Sequence, residues 1–163
     1  MVSVASWSLP RVRRNGPPFY SKSNIIQVLE QIGVLLELKG ANPFRVRSYQ
    51  NASRTLTSLE EDLWTVSNEG RLIEIKGIGK GIAGLITEAM SEGTWGEIGN
   101  LYDEIPSGLI QMLAIPGLGP KRIKQFHDEL GIESIEELKV AAENKHLQGL
   151  DRMGAKSEQK VLD

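Results

Sequence analysis

One local pattern, written twice, constrains this chain more than any other. Gly77-Ile78-Gly79-Lys80-Gly81-Ile82-Ala83 returns forty residues later as Gly117-Leu118-Gly119-Pro120-Lys121-Arg122-Ile123. Each copy has an apolar lead-in and an apolar helical tail, LIEIKGIGKGIAGLI in the first and LIQMLAIPGLGPKRIKQF in the second. A worn third copy follows as LQGLDRMGAKSEQKVL. The reading is helix, Gly-apolar-Gly hairpin, helix. The glycines open backbone angles closed to other residues and let a phosphate approach with no β-carbon in the way. The central apolar residue, Ile78 or Leu118, plugs the hairpin between its helices. Amides at the start of the second helix have no partner within the helix, and with the helix dipole they form an anion seat. Lys80, Lys121, Arg122 and Lys124 fall at or just inside those starts. A phosphate loop of the G-x-x-x-x-G-K-[ST] type is absent, and no strand precedes either glycine pair to support a dinucleotide fold.

The rest of the chain reads as helices of the same modest length. Ile25, Val28, Leu29, Ile32, Leu35 and Leu36 recur three and four apart, which makes one helix face apolar from Ser23 until Gly40 and Pro43 end it. A second helix after Pro43 turns Val46, Tyr49, Ala52 and Leu56 one way, and a third covers Glu61 to Asn68. Short helices are expected over Leu72 to Ile75, Gly81 to Met90, Gly108 to Leu113, Pro120 to Leu130 and Ser134 to Glu143. Ser134 and Glu137 form a capping box at the last start. No strand alternation or Asn-Gly hairpin signal occurs, so the expected fold is all-α, in two small helical domains containing helix-hairpin-helix motifs. Their expected bounds are 23–95 and 96–163, behind a disordered basic leader over 1–22 that lacks the apolar centre of a signal peptide.

Composition narrows the chemistry. With 163 residues, 40% hydrophobic and 25% charged, the chain suits one or two small globular domains. No apolar run approaches the roughly 20 residues of a membrane span. The absence of cysteine excludes disulfides, thiolate metal sites and cysteine nucleophiles, and His127 and His146 are the only imidazoles. The net charge is −2, and residues 23–163 carry 15 bases against 21 acids. A protein that binds phosphate through Lys and Arg alone would be basic. Here local geometry has to supply the grip.

The hairpins resemble the helix-hairpin-helix motif of DNA repair and replication proteins. LLELKGANPFRVRSYQNASRTL, GRLIEIKGIGKGIA and EIPSGLIQMLAIPGLGPKRIKQFHDELGIESIEEL together resemble the N-terminal region of bacterial and archaeal family X DNA polymerases, relatives of DNA polymerase beta, over some 140 residues. The resemblance implies sequence-independent binding of gapped, nicked or 5′-phosphorylated DNA, in a cytoplasmic, nucleoid-associated protein of base excision repair. It places the family's 5′-phosphate pocket at Arg45 and Tyr49 and its base-stacking residue at Phe44. It also implies a monovalent cation, Na+ or K+, on the main-chain carbonyls of Ile73, Ile75 and Ile78 and of Leu113, Ile115 and Leu118.

Two departures bear on activity. The family's lyase lysine corresponds to Leu85, which cannot form a Schiff base, so strong lyase activity is not expected. The carboxylate-bearing palm of the polymerases finds no counterpart within the 163 residues, and polymerisation by this chain alone is not expected. A separate polypeptide carrying a palm, or another repair protein, is an expected partner. Two alternatives stay open: a 5′-deoxyribose phosphate lyase working through a relocated lysine, Lys80 or Lys76, and a protein-interaction scaffold.

Overall fold

The computed structural model describes Leu9 and residues 20–149. Most of the expected leader and the body of the third hairpin copy lie outside the described residues. Within them the fold is all-α, with no strand. The helices are α1 (Lys22–Lys39), α2 (Pro43–Ser58), α3 (Leu63–Asn68), α4 (Lys80–Glu92), α5 (Leu101–Glu104), α6 (Ser107–Met112), α7 (Pro120–Leu130) and α8 (Ile135–Glu143). Short 3₁₀ turns cover Leu72–Glu74, Gly96–Asn100 and His146–Gly149. Among the described residues no helix is long and apolar enough to cross a membrane.

The described residues form two compact units, one over 20–36 and Ala41–Glu104, the other over Glu37–Gly40 and 105–149. The core of the first follows from the helical period. Ile25, Val28, Leu29, Ile32, Leu35 and Leu36 on α1 are buried, as are Val46, Ala52 and Leu56 on α2 and Ile86, Ala89 and Met90 on α4. Each Val, Leu, Ile or Met among them contributes about 1.5–3 kcal/mol by leaving water. Gly40 ends α1 with φ +83°, and Ala41 N donates across it to Leu36 O at 2.9 Å, a left-handed stop that glycine makes cheap.

Three details depart from the sequence reading. α3 starts at Leu63 because Asp62 caps it, its Oδ2 accepting from Thr65 N at 3.0 Å. The 3₁₀ turn and α5 over 96–104 carry no readable period, yet Leu101 within them and Trp95 just before them are buried. Tyr20, inside the stretch read as leader, is buried, with its ring edge-on to Trp95 at 5.8 Å and its hydroxyl donating to Gly93 O at 3.3 Å.

In the second unit, α6, α7 and α8 bury Leu109, Met112, Ile123, Phe126 and Leu138. Gly108 permits the close approach there, since a β-carbon on it would lie 1.8 Å from Glu133 O. Ser134 caps α8 as expected, Oγ accepting from Glu137 N at 3.1 Å, and Glu137 Oε2 returns the favour to Glu133 N at 2.9 Å.

Candidate nucleic-acid interface

The two hairpins repeat each other bond by bond. Ile75 N donates to Leu72 O at 3.1 Å, and Ile115 N to Met112 O at 3.0 Å. Ile78 N donates to Ile75 O, and Leu118 N to Ile115 O, both at 3.1 Å. Gly77 and Gly117 take positive φ, +102° and +81°. Ile78 and Leu118 are buried, at 4% and 8% exposure, while the flanking glycines are exposed. The apolar plug and its open rim are thus both present.

The second glycine of each pair owes nothing to backbone strain. Gly79 has φ −81° and Gly119 φ −96°, angles that any residue adopts. A β-carbon on Gly79, Gly81 or Gly119 would meet no protein atom within 4 Å. The freedom of unusual angles therefore explains only the first glycine; at the second, bare backbone faces open space.

Helix capping sharpens the contrast. α2, α3 and α8 start under their own side chains, Asn42, Asp62 and Ser134. α4 and α7 start at Gly79 and Gly119 with no side-chain cap. Their helical bonding opens with Ala83 N to Gly79 O at 2.9 Å and Ile123 N to Gly119 O at 3.1 Å. The amides of Lys80, Gly81 and Ile82, and of Lys121 and Arg122, precede those bonds and point out along the helix axis. Proline at position 120 removes one amide from the second set.

Around the first hairpin the sequence-picked residues converge. Arg45, Ser48, Tyr49, Asn51, Gly77, Gly79, Gly81, Ile82 and Leu85 line a cleft of about 460 Å³ between α2 and the start of α4. The lining holds one cation, hydroxyl and amide groups and no carboxylate. Burial pushes the Tyr49 phenol up, and the Arg45 guanidinium one turn back on α2 opposes that rise. Ser48 and Asn51 were missed by the sequence reading, although Ser48 stands one helical turn from Arg45 and the 3.6-residue period could have found it. Phe44 is not in this lining; it stands 72% exposed with the Arg47 guanidinium 4.7 Å from its ring centroid. Lys76 is exposed and also outside the lining.

At the second hairpin, Leu113, Ala114, Ile115, Pro116, Gly117, Leu118 and Gly119 line a concavity of about 570 Å³ with no charged side chain. Its only polar groups are main-chain ones, set among apolar side chains. Lys121 is exposed at its edge, whereas Lys124 pairs with Asp128 one turn on and Arg122 Nη1 donates to Gln125 Oε1 at 3.3 Å. The carbonyls of Ile75 and Ile115 each accept one hairpin N–H, which leaves each a second lone pair for a hard cation. No cluster of three or more His, Asp or Glu able to hold a metal occurs among the described residues.

Comparison with known proteins gives this geometry a setting. A helix-hairpin-helix domain model matches residues 21–95, and a SAM-like helix-hairpin-helix tandem model matches 109–163. The DNA polymerase/3′-5′ exonuclease PolX of Bacillus subtilis (strain 168) is 41% identical over 141 residues, covering 86% of this chain and 24% of that protein. The matched stretch is its N-terminal part. The chain therefore spans about a quarter of the length of the curated relative it matches.

Proposed function

Because this chain belongs to the N-terminal, helix-hairpin-helix region of the family X DNA polymerases, we propose that it is a sequence-independent DNA-binding module that grips gapped, nicked or 5′-phosphorylated DNA. The carrying observation is the pair of uncapped helix starts behind exposed glycines whose β-carbons would meet nothing in the protein. A phosphate oxygen approaching there accepts from main-chain amides and meets the positive end of the helix dipole. That interaction needs little net charge, so an acidic chain can make it.

Each part of the first unit has a task in this reading. The amides of Lys80, Gly81 and Ile82 hold a backbone phosphate, and the Lys80 ammonium adds charge beside them. In the cleft, Arg45 takes a terminal 5′-phosphate through its planar donors, and the Tyr49 hydroxyl, kept protonated, donates a further hydrogen bond. Phe44 offers a ring face to an unpaired base. The second hairpin holds another stretch of backbone through Lys121 and Arg122 amides. Na+ or K+ belongs to the same proposal: the carbonyls of Ile73, Ile75 and Ile78, and of Leu113, Ile115 and Leu118, would hold it, and it would supply positive charge next to the phosphate. The lyase alternative has less support, since Leu85 lines the cleft while Lys76 and Lys80 do not.

Fluorescence anisotropy with intact, nicked and gapped duplexes, with and without the 5′-phosphate, tests the proposal. Intact duplex should bind with Kd on the order of 10⁻⁴ to 10⁻⁶ M at physiological salt, and the 5′-phosphorylated gap more tightly. Gly79→Val and Gly119→Val should weaken binding to all sequences alike. Wild-type affinity in both variants would refute the hairpin grip.

A further inference from the structure

Only one side of α8 is spent on the core. Leu138, Ala141 and Ala142 are buried in the second unit, whereas Val140 turns away and stands 54% exposed. Leu130, the last residue of α7, is 38% exposed. Aliphatics scattered singly over a surface are ordinary, but these two line one hollow of about 400 Å³, together with the buried Ile132 and Ala141 and with Glu136, Glu137 and His146. Among the described residues no lysine or arginine lines it. The surroundings are acidic: positions 128–143 hold six carboxylates against Lys139 as the one base, in a protein of net charge −2. Part of that charge has a local use, since Asp128 pairs with Lys124 and Glu137 Oε2 accepts from Glu133 N at 2.9 Å in the cap of α8. Glu136 and Glu143 have no ion pair among the described residues. They stand one turn before and one turn after Val140 on α8, so they bracket it on the same face.

Apolar lining and acidic edge together choose the occupant. A nucleic-acid backbone, an anionic membrane or an acidic peptide would meet like charge at Glu136 and Glu143. The chain's own residues 150–163 balance three bases with three acids, and a second copy would present the same carboxylates. A segment that brings aliphatic side chains to the hollow and cations to its edge answers both features. We propose that the end of α7 and the outward face of α8 form a docking groove for a basic amphipathic helix of a partner protein. Aliphatic residues of that helix, spaced i and i+3 or i+4, seat against Leu130 and Val140, and Lys or Arg beside them meets Glu136 and Glu143. Residues of the second hairpin do not line the groove, and the uncapped start of α7 lies about 15 Å away at the other end of that helix. A partner seated here leaves Gly117 and Gly119 open to a strand.

Synthetic peptides of about 16 residues serve as probes: one with leucines on a helical stripe flanked by lysines, one of the same composition with the stripe shuffled, and one with glutamates in place of the lysines. In anisotropy titrations with the full-length protein, the basic stripe should bind at least about tenfold more tightly than either control. Val140→Asn and Glu136→Gln, both at exposed positions, should weaken it about fivefold and about threefold, while duplex DNA affinity stays within about twofold of wild type. The chain has no cysteine, so Lys139→Cys takes a single nitroxide, which should broaden the leucine methyl signals of the bound peptide. Equal binding of the stripe and its shuffled form overturns the proposal, as does wild-type affinity in both variants. Failure of the basic stripe to bind also overturns it, and the same nitroxide then names the occupant. Broadening of residues 150–163 in the labelled chain means that the chain covers the groove itself, and broadening in an isotope-labelled second copy means self-association.

Discussion

Thr55 Oγ1 on α2 stands 2.5 Å from where a β-carbon on Gly77 would lie. The first hairpin is therefore seated directly on the helix that carries Arg45 and Tyr49, and the two glycines of the hairpin answer to different demands. Gly77→Ala must hold φ near +102° against a β-branched neighbour, whereas Gly79→Ala keeps an ordinary φ and open space. Gly77→Ala should cost about 1–2 kcal/mol of stability in urea titrations. Gly79→Ala should leave stability within about 0.5 kcal/mol or raise it slightly, while weakening DNA binding.

The basic residues at the second hairpin should separate by their partners. Lys121 is exposed beside the open amides, and Lys124 is paired with Asp128. In titrations over a range of salt, Lys121→Ala should lower the slope of log K against log salt by about one. Lys124→Ala should lower it by clearly less, and equal effects would show that the Asp128 pair opens on binding.

Leu85 shares the cleft lining with Arg45 and Tyr49. An amine placed there would sit beside a fixed guanidinium, which favours its neutral, nucleophilic form. Leu85→Lys should give a covalent adduct under borohydride with DNA carrying a 5′-deoxyribose phosphate. Wild-type protein should give little or none, and adduct of equal yield from both would mean that a lysine outside the lining does the chemistry.

The pH profile should break on the alkaline side. The chain has three tyrosines, and burial pushes the phenols of Tyr20, Tyr49 and Tyr102 all above the usual value near 10. Tyr102 donates to Gln31 Oε1 at 2.6 Å, and Gln31 is itself buried. A group whose folded pKa is raised binds its proton more tightly when folded. Its stabilisation is complete below the unfolded pKa and is lost as pH climbs toward the folded one. Absorbance at 295 nm should show little tyrosinate at pH 10 in the folded protein and a full rise in urea, and stability should fall steadily above about pH 10. Tyr102→Phe, which leaves a buried acceptor unpaired, should cost about 1–3 kcal/mol at neutral pH.

The sequence made some of this plain and concealed the rest for identifiable reasons. Spacing on α1 named Ile25 through Leu36 as core because one apolar stripe can face only one way. The duplicated glycines announced both hairpins, and Pro120 and Ser134 marked two helix starts. The role of Gly79 and Gly119 was hidden, since a glycine letter does not say whether φ or empty space demands it. Tyr20 and residues 96–104 were hidden because short irregular segments gain their place from tertiary burial, which leaves no period. Periodicity also says nothing about where a surface cation turns, so neither the Lys124–Asp128 pair nor the Arg47 cover over Phe44 could be read in advance.

The proline that opens α7 makes the twin hairpins unequal hands. One can offer three donors at its helix start and the other two, and the weaker also has no charged side chain in its hollow. Taken each by itself, the first would hold a phosphate with more donors and the second with fewer, so a motif written twice need not be a grip made twice.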